Sequence, residues 1–480
     1  MNTRILINRF SGWLLAGILA MLLPGCEKLL DVDMPPDNLD RQQVFANDAT
    51  ATAAVLGIYS SSASRLSATG NFDLATGGMT IYPGLSADEL QYSGTIAAMT
   101  EFEANGLQAE NTHLGTSLWN RGYSNIYAVN SCIESLMGSQ SLTPSVKDQL
   151  LGECHFLRAY FYFYLVNLYG NVPLIATTDY AVNESKPRTP ATEIYAFMQQ
   201  ELETARDLLT PDYPQGRRTR INRYAALSLL ARVYLYRQNW EKAAEAAAAV
   251  IASGQYRLEP DHNNVFLAQS RESLWELANT STASIVTAEG YTFLAAATPS
   301  YYLRGTLQTA FEPDDLRGQK WILKTTVGGV DYAIPYKYKQ TTVANAAAKT
   351  ENYVMIRYAE QFLIQAEASA QLNLPVAALA SLDSLRARSG LPLLSTNGQQ
   401  PDKPELLQLV EQERRLELFC EWGHRWLDLK RTAGFQNPAI TRADELLPTV
   451  KTGWIPSDKL YPIPQSQINS NPFLVQNDDY

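Results

Sequence analysis

Residues 221–254 read INRYAALSLLARVYLYRQNWEKAAEAAAAVIASG. Leu230, Ala231 and Tyr234 belong to one helix, Gln238-Asn239 makes a turn, and Trp240 and Ala243 open a second helix. Alanines at 231 and 243 are the small residues that two antiparallel helices need where they touch, at the spacing of a tetratricopeptide unit. The spacing returns at Ala366 and Ala378, with a turn at Asn373-Leu374-Pro375 and with Leu382 and Leu385 continuing the second helix. A third pair, 149–169 and 191–209, follows the same logic with a longer connection. One helix pair cannot bury its own apolar faces, so the repeats must stack. The expected fold is mostly α, a tetratricopeptide-like helical-repeat scaffold.

Working outward, a helical pattern runs from about Val44 to Leu66, and Trp119, Tyr123, Ile126, Tyr127 and Asn130 recur at helical spacing. In the helix over 145–169, Leu150, Cys154, Leu157, Phe161, Leu165 and Leu168 form one stripe. Tyr160, Tyr162, Phe163, Tyr164 and Val166 add apolar surface elsewhere, which predicts burial nearly all round. Two regions break the pattern. Residues 67–111, rich in Gly, Thr, Ser and Tyr, read as loop. Residues 257–350 are a long mixed loop and β excursion, with β-leaning runs at Val265-Phe266-Leu267 and Ser273–Leu277 and with Gly290-Tyr291, Ser300-Tyr301-Tyr302 and Gly328-Gly329. Such inserts are where binding surfaces are built.

Composition excludes several classes. The 480 residues are 46% hydrophobic and 18% charged, which rules out global disorder. Lys+Arg number 39 against 49 Asp+Glu, a formal net charge of -10 that argues against a nucleic-acid binder. No run of 18 apolar residues is present to span a bilayer. At the N-terminus, Arg4 and Arg9 precede a nearly apolar stretch from Phe10 to Leu23, which closes on Leu22-Leu23-Pro24-Gly25-Cys26. This resembles a bacterial lipobox, although Pro24 is less usual at its position. It predicts a signal peptide over 1–25, lipidation of Cys26, a lipidated tether over 26–40 and a single domain over 41–480. The remaining cysteines, Cys132, Cys154 and Cys420, sit in apolar helical contexts and read as buried thiols.

Chemistry-bearing motifs are missing. There is no His-Glu-x-x-His, no Gly-x-Ser-x-Gly, no phosphate-cradling loop and no dinucleotide fingerprint. Cys420 and His424, four apart, have the spacing of two metal ligands but no second pair near them, and read as structural. Asp314-Asp315 and Asp478-Asp479 read as a turn and a solvated tail. Residues 411–431 hold the densest charge, and the spacing offers Glu411–Arg415, Glu421–Arg425 and Arg425–Asp428 as local pairs. With Leu416, Phe419, Trp422 and Trp426 interleaved, this reads as one ion-paired helix that clamps the scaffold. No catalytic residue, metal or cofactor is assigned.

Several segments together resemble the SusD/RagB-like family of outer-membrane nutrient-binding lipoproteins. These are NLYGNVPL at 167–174, IRYAE at 356–360 with AEA at 366–368, ERRLEL at 413–418 and GHRWLDLKR at 423–431. The tail adds LYPIP at 460–464, NP at 471–472 and QNDDY at 476–480, where Asp478-Asp479 replaces the family's Pro-Gly. The resemblance implies a SusD-like fold and a lipid-anchored, cell-surface protein of the outer membrane. It also implies capture of an oligosaccharide and delivery to a SusC-like TonB-dependent transporter, without catalysis. The motifs carry no ligand residue, so the chemistry of sugar binding nominates them: exposed rings for the apolar pyranose faces and polar side chains for the hydroxyls. Tyr82, Tyr92 and Asn105 in the first loop region, and Tyr291, Tyr301, Tyr302 and Arg304 in the second, meet that requirement. Trp119 and Trp275, in regular apolar patterns, read as core. Alternative readings are peptide or glycopeptide capture, a docking scaffold without its own ligand, and a hidden glycosidase.

Overall fold

The computed structural model describes residues 41–63, 72–280, 285–294, 296–398 and 400–480; the expected signal peptide, Cys26 and the tether lie outside the described residues. Phe45–Tyr480 form one compact unit, and the short helix Arg41–Val44 belongs to the N-terminal one. In the larger unit the main helices are α1 (Asp48–Ala63), α2 (Gly78–Ser86), α3 (Ala97–Ala104), α4 (Asn120–Gly138), α5 (Pro144–Tyr169), α6 (Ala191–Leu208), α7 (Arg223–Tyr236) and α8 (Trp240–Ile251). They continue with α9 (Ala288–Leu294), α10 (Leu316–Lys320), α11 (Tyr358–Gln371), α12 (Pro375–Arg388), α13 (Lys403–Glu417) and α14 (His424–Arg431). Asn222 caps α7 by accepting from the Ala225 N–H (2.9 Å), and Asp402 and Glu405 form a reciprocal capping box at α13.

The helices stack in chain order: α4 on α5, α5 on α6, α6 on α7, α7 on α8. Then α8 packs on α11, and α11 on α12 and α13. The excursion thus leaves the scaffold after α8 and returns at α11 without interrupting the stack. Ala231, Ala243, Ala366 and Ala378 are all fully buried, as close helix contacts require. Helix α5 is buried over nearly all of its last five turns, and Trp275 meets it edge-on at Phe156 (5.1 Å) and Tyr160 (5.0 Å). Cys154 and Cys420 are buried thiols; a hydrogen bond to Cys132 and burial push the Cys154 thiol up.

Among the described residues, six strands make three antiparallel pairs: β1 (Leu90–Tyr92) with β3 (Tyr301–Leu303), β2 (Ser273–Leu277) with β6 (Tyr353–Arg357), and β4 (Ile322–Val327) with β5 (Val330–Pro335). Gly328 and Gly329, both at positive φ, turn the last hairpin.

Three expectations are corrected. The region 67–111 contains α2, β1 and α3. Every residue of α2 is buried, so it has no polar face to give a helical period, and Pro83 within it masks the helix further. Val265-Phe266-Leu267 is no strand: Val265 and Phe266 are core, and Leu267 makes one isolated bridge to Glu351. The stretch 411–431 is two helices. The chain leaves α13 after Glu417, turns through left-handed Cys420, Trp422 and Gly423, and re-enters α14 at His424. A Cβ at Gly423 would stand 3.0 Å from Pro83 and 3.1 Å from the Met79 methyl, so the turn is also pressed against α2.

That break reassigns the charges. Arg415 pairs with Asp88 (2.9 Å), Arg425 with Asp88 (2.7 Å) and Glu411 (2.9 Å), and Asp428 with Arg414 and Arg431 (both 2.7 Å). Glu421 turns to Arg357 (2.7 Å) and Lys337. Arg357, 2% exposed, also donates to Glu272 (2.7 Å), to the Glu417 carboxylate (2.8 Å) and to the Glu417 carbonyl (2.9 Å). Its second bond to Glu421 (2.9 Å) uses the fifth and last guanidinium N–H. Arg388 shares Glu272 and Glu417, while Arg317 joins Asp315 and Glu413 (both 2.8 Å). Burying one such ion unpaired costs several kcal/mol, so the cluster is stable only because each charge is met on several sides. Asp315, read as part of a turn, thereby becomes the N-cap of α10 and a buried anion.

Candidate functional site: a tyrosine ribbon

The two loop regions nominated from sequence meet in one place. Strands β1 and β3 pair with Leu90 opposite Leu303, Gln91 opposite Tyr302 and Tyr92 opposite Tyr301. Strand alternation decides which side chains face in. Leu90 and Leu303 are fully buried and Tyr301 is 7% exposed, whereas Gln91, Tyr92 and Tyr302 are half-buried. Tyr92 lies 5.1 Å from Tyr301 at a shallow angle, and Tyr302 stands edge-on to Tyr332 of β5 at 5.2 Å. The outward face is thus a short ribbon bearing Gln91 and Tyr302, flanked by Tyr332, while Tyr92 lies half-buried at its end on the face of Tyr301.

Arg304, just after β3, ties the ribbon at its end. Its backbone N–H donates to the Glu89 carbonyl (2.9 Å), and its guanidinium reaches Glu103 of α3 (3.3 Å). Tyr291, half-buried, is carried by α9, which packs on β3 and β5.

Tyr82, Asn105 and Tyr301 were expected at the ligand surface, and the structure places them beneath it. Tyr82 has no exposed surface: it stacks on Phe102 (4.7 Å), meets Phe72 edge-on (6.0 Å) and sits 3.1 Å from His113 Nδ1 through its hydroxyl. Phe72 in turn supports Tyr301 (6.1 Å). Asn105 is the left-handed C-cap of α3, and its amide donates to the Ser86 carbonyl (3.1 Å) while its carbonyl accepts from Lys451 (3.4 Å). Lys451 also donates to the Glu103 carbonyl (2.8 Å) and the Leu85 carbonyl, joining α2 to α3 from below. Tyr301 is turned inward by its strand register, Tyr82 lies in the fully buried α2, and Asn105 is held as a helix cap. Tyr332 was missed. Its signal was the Gly328-Gly329 hairpin, whose second strand packs beside β3 and runs from exposed at the turn to buried at its end.

Electrostatics beneath the ribbon are unusual for carboxylates. Burial pushes Glu289 of α9 up to about 7; its Oε1 accepts from the Thr80 hydroxyl (2.9 Å). Burial, with the adjacent Asp88, pushes Glu89 up to about 8, and Glu89 accepts from the Cys420 N–H (3.1 Å). Both are sealed from solvent, so neither is a general acid for a ligand on the ribbon. No group of three metal-ligating side chains occurs among the described residues. Cys420 lies in the left-handed turn rather than a turn below His424 on one helix, and burial pulls the His424 imidazole down to about 4.

Two family models match this chain: the SusD family over residues 317–480, and "Starch-binding associating with outer membrane" over 85–235. Through both matches the chain is similar to the SusD/RagB-like family, as its sequence motifs are. SusD-like protein P2 of Formosa agariphila is 27% identical over 463 residues, covering 86% of this chain and 89% of that protein. The crystal structure of a SusD homolog from Bacteroides thetaiotaomicron superposes with a TM-score of 0.76 at 21% identity, covering 92% of this chain and 98% of that one. A laminarin-binding SusD-like protein superposes with a TM-score of 0.73 at 23% identity, covering 90% of this chain and 100% of that one. The SusD-like fold, helical repeats plus excursion, is therefore the fold of this protein. No helix among the described residues is long and apolar enough to cross a membrane.

The raised Glu289 carboxyl gives the site a pH signature. Between its ordinary value of 4.5 and about 7, the folded chain keeps a proton that the unfolded chain has released, so this group makes stability fall as pH rises through that window. Glu289→Gln keeps the shape and removes the titration. The variant's melting temperature should gain on wild type progressively from about pH 5 to pH 8. Parallel curves would show that Glu289 is ionised in the fold.

Proposed function

We propose that this protein captures an oligosaccharide on the tyrosine ribbon and passes it to a SusC-like TonB-dependent transporter at the outer membrane. The observation that carries the reading is the half-exposed Tyr302, set edge-on against Tyr332 on a strand whose other face is buried. A ring held this way offers a flat apolar face at little entropic cost, which suits the apolar face of a pyranose. Tyr291 extends the platform, while Gln91 and Arg304 supply hydroxyl partners. The family description and the laminarin-binding relative support a carbohydrate as the ligand class. We read the chain as a binder rather than a catalyst, since the ribbon pairs aromatic faces with amide and guanidinium groups and its buried carboxylates are sealed below.

Truncation of Tyr302 should weaken binding by about 1–3 kcal/mol, or one to two decades in Kd, with an unchanged melting temperature. Tyr301→Ala, by contrast, should unfold at lower temperature because its ring is core. Calorimetry and melts of both variants against maltoheptaose, laminarin oligosaccharides and a peptide panel make the comparison. Unaltered affinity of Tyr302→Ala for a sugar that wild type binds would sink the ribbon; binding of peptides alone would shift the ligand class to peptides.

Anchoring follows from the lipobox. Acyl chains on Cys26, at about 0.8 kcal/mol per buried CH₂, would hold the protein on the membrane and leave the domain free above the barrel. Cys26→Ser should appear in the soluble fraction of cells lacking the transporter. Retention of that variant in outer membranes would refute lipidation as the anchor.

A further inference from the structure

Apart from the ribbon, α4, the segment following α5 and the last residues of the chain enclose an open groove of about 750 Å³. One wall is an aromatic ladder. Trp119, Tyr123 and Tyr127 follow at every fourth residue, about 6 Å per step along a helix, and grade from buried through half-buried to 57% exposed. The Trp119 and Tyr123 rings lie 5.0 Å apart, and the Tyr123 hydroxyl donates to the Pro173 carbonyl (2.8 Å), which fixes its ring. Tyr180, also on the lining, is 76% exposed. Core packing accounts for Trp119; it does not account for two large tyrosines left in solvent on the same groove.

The polar lining is amide. The Gln467 side-chain amide donates to Asn120 Oδ1 (3.2 Å), which leaves the Asn120 side-chain NH₂ and the Gln467 side-chain carbonyl without a protein partner among the described residues. Asn183 donates to the Thr177 carbonyl (2.7 Å), and its buried Oδ1 has no partner among the described residues. Glu184 and Lys186, of opposite sign, are the charged residues on the lining, so the groove carries no net field. Flat rings at about one sugar unit per step, spare amide donors and acceptors, and balanced charge match a neutral oligosaccharide. A charged ligand would find no uncompensated partner there.

The geometry points to this groove as a second binding site for neutral oligosaccharides, which shares no residue with the ribbon. It does not depend on the ribbon being a site. A chain long enough to occupy both would gain avidity, while shorter chains would bind each independently.

The test is calorimetry of the full chain with maltoheptaose, laminariheptaose and xylohexaose, using wild type, Tyr302→Ala, the double variant Tyr127→Ala/Tyr180→Ala and the triple variant that combines all three substitutions. Both groove tyrosines are exposed, so the double variant should melt as wild type does. The expected result is that Tyr302→Ala still binds at least one of the three sugars, and that the double substitution in that background weakens this remaining binding about tenfold or more. Wild-type affinity of the double variant for every sugar, loss of all binding in Tyr302→Ala, or failure of wild type to bind any of the three would each overturn the assignment. Unchanged sugar affinities with lost co-purification of the barrel partner would overturn it in favour of a protein-docking surface. Unchanged binding in Tyr302→Ala with tenfold loss in the groove variant would uphold the groove and reject the ribbon.

Discussion

Arg357 is the point on which the two halves of the structure depend. It ends β6 and immediately precedes α11, so it stands where the excursion rejoins the helical stack. Burial opposes its charge, and Glu421, Glu417 and Glu272 overcome that opposition and hold it charged. All five of its N–H donors are used within the protein. Those acceptors come from the segment before β2 and from the end of α13 with the left-handed turn that follows, so one side chain ties together two parts of the chain that are each remote from it in sequence. Loss of one partner from such a cluster leaves the others buried without compensation, which typically costs about 3–5 kcal/mol.

The ribbon inherits its rigidity from this cluster. Glu421 also holds Lys337, which follows directly on the β4–β5 hairpin that brings Tyr332 against Tyr302. One residue earlier, the Cys420 N–H donates to Glu89, whose carbonyl receives Arg304 beside β3. A path of hydrogen bonds therefore runs from Arg357 through the turn at 418–423 to both strands of the ribbon. A binding surface made of two three-residue strands has little stability of its own; here its inner face rests on Phe72, Tyr82 and Phe102, and its ends are pinned by buried polar groups.

What the sequence disclosed follows the range of the interactions. The stack was legible because helix pairing is local: Ala231 with Ala243, and Ala366 with Ala378, mark contacts between neighbouring helices. The bulk of α5 was legible because apolar residues occupy every face. The charges of 411–431 were not, since their spacing offers i,i+4 partners that exist only if the helix continues, and the left-handed residues at 420, 422 and 423 end it. Asp88, Glu272 and Arg357, the partners chosen instead, are far away in sequence. At the site, composition found the regions that meet, while the strand register decided which rings face out. Tyr301 and Tyr302 look alike in sequence, and only the pairing with Leu90-Gln91-Tyr92 puts the first inside and the second outside.

Native-state amide hydrogen exchange on wild type and Arg357→Gln tests most directly whether the scaffold's charge cluster holds the binding surface. Protection should fall together in β2, β6 and the ribbon strands β1 and β3, while α5 and α6, which hold each other through their own buried Arg158–Glu201 pair (2.7 Å), keep theirs. If β6 loosens and the ribbon strands retain wild-type protection, the ribbon is ordered independently of Arg357 and the account is contradicted.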